Sequence, residues 1–91
     1  MRWSKLVTKE VIVSNSKGLH ARPATLLVRK AASFKSDLGI EFMGKKANIK
    51  SLIGILSLGV GSNTTVNVIA NGVDEELALE EIVKLIKSLQ E

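Results

Sequence analysis

The chain's one histidine and one proline fall in a single seven-residue stretch, Gly18-Leu19-His20-Ala21-Arg22-Pro23-Ala24. An imidazole has an ordinary pKa of about 6.5, so near neutral pH much of it is a free base able to act as a nucleophile. Arg22, two residues on, carries a fork of N–H donors that matches phosphate oxygens. Pro23 has its φ preset near the helical value and no N–H to lose, so it belongs in the first turn of a helix. The stretch therefore predicts a helix that begins just after His20. That places the imidazole where unpaired backbone N–H groups and the positive end of the macrodipole attract an anion. The chemistry expected there is phosphorylation of the ring. A phosphorylated imidazole is a reactive phosphoramidate, and its transfer needs positioning and charge neutralisation more than surrounding acids and bases. Gly18 lets the backbone approach closely. On residue types alone, an ordinary capping or surface histidine satisfies the same spacing.

The elements that position this stretch follow from hydrophobic period. Residues 5–13, KLVTKEVIV, alternate Val7, Lys9, Val11 and Val13 against Leu6, Thr8, Glu10 and Ile12, which predicts a strand. Ala24, Leu27, Val28, Ala31 and Ala32 then recur at helical spacing, predicting an amphipathic helix over 21–32. Leu38, Ile40 and Phe42 alternate over 37–42, and KKANIK at 45–50 forms a second strand behind a Met43-Gly44 hairpin turn. SLIGILSLG at 51–59 reads as one or two helical turns with Ser51 at the head. TTVNVIAN at 64–71 alternates again. The last segment has Asp74 as an N-cap, Glu75 and Glu76 in the first turn, an apolar stripe (Ala78, Leu79, Ile82, Leu85, Ile86, Leu89) and Lys84 and Lys87 near its end. The order βαββαβα, with two strands joined by a tight turn, predicts an α+β fold. The form expected is an open-faced β-sandwich: one four-stranded, mainly antiparallel sheet with three helices on one face.

Composition removes other chemistries. At 91 residues, 45% hydrophobic and 24% charged, the chain is expected to form one globular domain over 1–91. Without cysteine and with one histidine, it has no disulfide, thiolate zinc site or histidine metal cluster, so neither metal nor cofactor is expected. No apolar run approaches the roughly 18 residues of a membrane span and no signal-peptide pattern opens the chain, so a cytoplasmic location without membrane insertion is expected. The formal net charge of +4 admits an acidic protein partner or a nucleic acid. Three dispersed aromatics and no tyrosine leave no stacking platform, which argues against direct nucleic-acid binding. On the short helix Leu52, Ile53 and Leu56 are expected to divide between core and surface, one or two inward and the rest exposed. A rim of Arg22, Arg29, Lys45 and Lys50 suits an acidic, apolar groove on a partner.

GLHARPA followed by an apolar helix, and then Asn48-Ile-Lys-Ser-Leu-Ile-Gly-Ile-Leu-Ser-Leu-Gly-Val60 after the second hairpin strand, resembles the HPr family over nearly the whole chain. These are the histidine-containing phosphocarriers of the bacterial sugar phosphotransferase system. The resemblance implies that the protein is a carrier rather than an enzyme, with the family's open-faced sandwich fold. It implies that the pros nitrogen of His20 accepts phosphate from phospho-enzyme I and passes it to enzyme IIA domains of sugar transporters. Arg22 then neutralises the phosphate and Pro23 starts the helix, while Arg29, Lys50, Leu52, Ile53 and Leu56 face partners. It further implies that Ser51 is a regulatory site for HPr kinase/phosphorylase, and that phosphoserine there slows phosphorylation by enzyme I and recruits a LacI-type catabolite control regulator. By residue type alone Ser51 is first an N-cap. The related Crh proteins lack the active histidine, so His20 argues against a purely regulatory member. Residues 1–4 form an N-terminal extension relative to the family, and Trp3 within the opening Met1–Lys5 is a tail or a cover for a sheet edge. Lys17, in the turn before Gly18, decorates the loop.

Overall fold

The computed structural model describes residues 7–89. Four strands, β1 (Val7–Val13), β2 (Asp37–Phe42), β3 (Lys45–Asn48) and β4 (Thr64–Asn71), form one sheet in the order β1-β4-β2-β3. Every pairing is antiparallel, with Val11 opposite Val66, Ile40 opposite Val68 and Ile40 opposite Ala47. Alternation in β1 does what its period predicts: Val11 and Val13 are buried while Ile12 between them is exposed. The hairpin from β2 to β3 turns at Met43 and Gly44, both with positive φ (52° and 80°), the hand that two-residue hairpins require. Thr8, Glu10 and Ile12 lie opposite Ile69, Asn67 and Thr65 on the face turned away from the helices.

Three helices, α1 (Ala21–Ala32), α2 (Leu52–Leu58) and α3 (Glu75–Ser88), cover the other face. α3 lies against the strands, α1 packs on α2 and α3, and α2 packs on β3. The buried stripe of α1 is Pro23, Ala24, Leu27 and Ala31, and that of α3 is Ala78, Ile82, Val83 and Ile86. With inward residues such as Leu38, Ile40, Val66 and Val68 they make one continuous core. Each fully buried Leu or Ile contributes about 1.5–3 kcal/mol relative to exposure, so seven of them (Leu27, Leu38, Ile40, Ile49, Ile55, Ile82, Ile86) dominate the drive to fold.

One expected cap has a different role. Asp74 occupies the N-cap position of α3, yet its carboxylate makes no capping bond. Instead it accepts from Lys35 N–H (3.0 Å), Ser36 N–H (2.9 Å) and the Ser36 hydroxyl, and its own N–H donates back to Ser36 Oγ (3.2 Å). The carboxylate thus ties α3 to the turn between α1 and β2. The Ser36 hydroxyl bond, with the Lys35 N–H bond behind it, lowers the Asp74 pKa to about 2. Glu75 serves the helix start, accepting Gly72 N–H at 3.0 Å. Trp3 and the extension over residues 1–4 lie outside the described residues.

Candidate functional site

The loop before α1 is built around Gly18. Its φ of +67° suits glycine, and a Cβ there would collide with the Val60 carbonyl oxygen and the Gly61 backbone. Gly18 N–H donates to Asn15 O (3.3 Å), Asn15 Nδ2 donates to Gly18 O (2.7 Å), and Leu19 N–H donates to Val60 O (3.0 Å). Leu19 is buried. The next residue, His20, is the N-cap of α1 with extended backbone, and its carbonyl accepts the first helical bond from Ala24 N–H at 3.0 Å. Its side chain makes no capping bond. The ring is half-buried, with Nε2 shielded from solvent and without a hydrogen-bond partner.

This placement carries the electrostatics that the motif predicts. The N–H groups of Ala21 and Arg22 have no intrahelical acceptor, Pro23 has no N–H, and no acidic residue stands in the first turn to compensate the dipole. Arg22 is exposed beside His20, and Arg29 lies seven residues on, about 10 Å along the same face of α1. Leu26, between them on that face, is 43% exposed. Sequence period could have found Leu26, since it falls outside the buried stripe, but a single leucine carries no such label.

Ser51 is the N-cap of α2 and its Oγ accepts Gly54 N–H at 3.0 Å. Leu52, Ile53 and Leu56 are 38%, 77% and 40% exposed, so none of the three turns inward as the sequence leads one to expect. A two-turn helix has room for one buried stripe, and Ile55, fully buried, with Leu58 half-buried, fills it. Lys50 is half-buried, and its Nζ donates to Phe34 O at 2.9 Å. That bond fixes α2 to the end of α1 and leaves Lys50 less free than the exposed Arg22, Arg29 and Lys45. Because α1 and α2 pack side by side, the fold brings both motifs and an uncovered apolar patch to the same layer.

A groove between β1 and α3, lined by Val7, Leu79, Val83 and Lys84, does not include His20. A group exchanged between proteins calls for an exposed atom on a dockable surface rather than an enclosed cavity. Among the described residues no three His, Cys, Asp or Glu side chains gather as a metal set, and no helix is long and apolar enough to cross a membrane.

An open-faced α+β sandwich with this motif at a helix N-terminus defines a class of small phosphocarrier domains. Residues 7–88 match the family model described as the PTS HPr component phosphorylation site, and the chain belongs to that family. It is accordingly a phosphocarrier of the phosphotransferase system. It is similar to the phosphocarrier protein HPr of Bacillus anthracis str. Ames, at 42% identity and a TM-score of 0.84, over 88% of this chain and 95% of that one. HPr-C-His from Thermoanaerobacter tengcongensis is 48% identical with a TM-score of 0.82, covering 92% of each chain. The catabolite repression protein Crh of Bacillus subtilis, solved as a swapped dimer, is 42% identical with a TM-score of 0.75, over 93% of this chain and 98% of that one.

Proposed function

We propose that His20 is the phosphoryl acceptor and that Nδ1, the pros nitrogen, is the reacting atom. The observation that supports this is the ring's position: it stands at the acid-free N-terminus of α1, half-exposed, with Nε2 shielded. The Nδ1 lone pair forms the new bond to phosphorus as the bond between phosphorus and enzyme I breaks. The unpaired N–H groups of the first turn and the Arg22 guanidinium take up the charge of the phosphoryl oxygens. On a second encounter the same group passes to an enzyme IIA domain of a sugar transporter. Pro23 fixes where the helix starts and so where the ring stands. Leu52, Ile53 and Leu56, with Arg29 and, less freely, Lys50, form the docking face, and the encounter takes place in the cytoplasm.

Ser51 is the regulatory site in this reading, phosphorylated by HPr kinase/phosphorylase. Phosphate there adds about two negative charges at a helix N-terminus, which tolerates them, so the effect falls on partners rather than on the fold. A negative charge at the edge of the docking face opposes enzyme I and suits a LacI-type catabolite regulator. Incubation with enzyme I and phosphoenolpyruvate tests the carrier step. Intact mass should rise by one phosphate that acid removes, and His20→Ala should gain none; an acid-stable gain, or a gain on His20→Ala, would refute it.

A further inference from the structure

Nothing in the described structure holds Nε2 of His20 by a hydrogen bond, and the side chain does not cap its own helix. The position of the imidazole is therefore set by the backbone that delivers it. That backbone is clamped upstream. Asn15 and Ser36 are the buried polar residues among those described, and Asn15 is 4% exposed. An amide is buried at a cost unless it is hydrogen-bonded, and Asn15 Nδ2 donates to Gly18 O at 2.7 Å while Gly18 N–H returns a bond to Asn15 O at 3.3 Å. The two bonds close residues 15–18 into one ring. Gly18, packed against Val60 and Gly61, and Leu19, bonded to Val60 O, carry that ring directly into His20.

We propose that Asn15 is a positioning residue for phosphoryl transfer: by holding Gly18 it fixes where the His20 imidazole meets the incoming phosphoryl group. The proposal rests on the assignment of His20 as the acceptor. Asn15 touches neither the phosphoryl group nor a partner, so its loss changes the rate of transfer within the docked complex and leaves docking alone.

Single-turnover transfer from phospho-enzyme I reads this directly. Asn15→Ala should lower the maximal rate at saturating carrier by about tenfold, the order expected when a reacting atom shifts by a fraction of an ångström. The half-saturating concentration should not change, because Leu52, Ile53 and Leu56 are intact. Asn15→Asp keeps the side-chain volume and answers the question if the alanine variant does not fold. Its carboxylate cannot donate to Gly18 O, whereas the protonated acid can, and burial opposite a carbonyl raises its pKa. Its rate relative to the unmodified protein should therefore be low at about pH 8 and recover as the pH falls toward the carboxyl pKa, with assays run well below its thermal midpoint. A folded Asn15→Asp with the unmodified rate at every pH, or an effect confined to the half-saturating concentration, would overturn the proposal. Phosphate on His20→Ala in the same assay would instead defeat the assignment of the acceptor.

Discussion

One hydroxyl at Ser51 meets two demands. It accepts the Gly54 N–H as a cap and, in the proposed function, it receives a regulatory phosphate. The two separate by substitution. Ser51→Ala removes the cap and should cost about 1 kcal/mol, read as a lower urea midpoint, without slowing transfer from enzyme I. Ser51→Asp keeps a capping oxygen and adds charge, so stability should hold while transfer from enzyme I slows; transfer at the unmodified rate would contradict the regulatory reading. Asp74 gives a prediction with a sign. Its folded pKa of about 2 lies below the ordinary 3.8, so its stabilising effect is complete above about pH 4 and is lost as the pH falls toward 2. Thermal midpoints should drop over that window, and Asp74→Asn should remove this part of the drop.

At the scale of elements, the sheet and the two long helices were legible because alternation at period two and stripes at period 3.6 are local signals. Val11 and Val13 go in while Ile12 stays out, and Ala24, Leu27 and Ala31 share one buried face. Three features were not legible, each because its partner is distant or absent. Asp74 has every mark of a cap, but the groups that claim its carboxylate belong to Lys35 and Ser36, some 38 residues away along the chain. Lys50 reads as a rim cation until the Phe34 carbonyl is seen beside it. Leu52, Ile53 and Leu56 are expected from their spacing to divide between core and surface, since nothing local says that Ile55 takes the inward position of α2 and leaves all three outside. Gly18 brings the motif loop against the Val60–Gly61 backbone, where there is no room for a Cβ. Gly18→Ala combines an unfavourable positive φ with a collision at Val60, and should destabilise the domain by roughly 2–3 kcal/mol or more in chemical denaturation. A loss below about 0.5 kcal/mol would mean that the loop relaxes freely and does not set the start of α1.

For the molecule as a whole, the sheet is a platform and, in the proposed function, the helix layer is the working side. α3 and the strands hold most of the core, which leaves the tip of α1 and the outer face of α2 free to meet partners. Arg22 and Arg29 stand on α1 and Lys45 opens β3, while Glu75, Glu76 and Glu80 gather on α3, so the net charge of +4 is unevenly spread. In the proposed function such a distribution would steer an acidic partner toward the end that carries His20. The proposed transfer turns on one atom, Nδ1 of His20, and nitrogen-15 NMR of the phosphorylated protein tests it most directly. Coupling of phosphorus to Nδ1 of His20 is the expected result, with Nε2 retaining its proton. Phosphorus on Nε2, or on a residue other than His20, would contradict it.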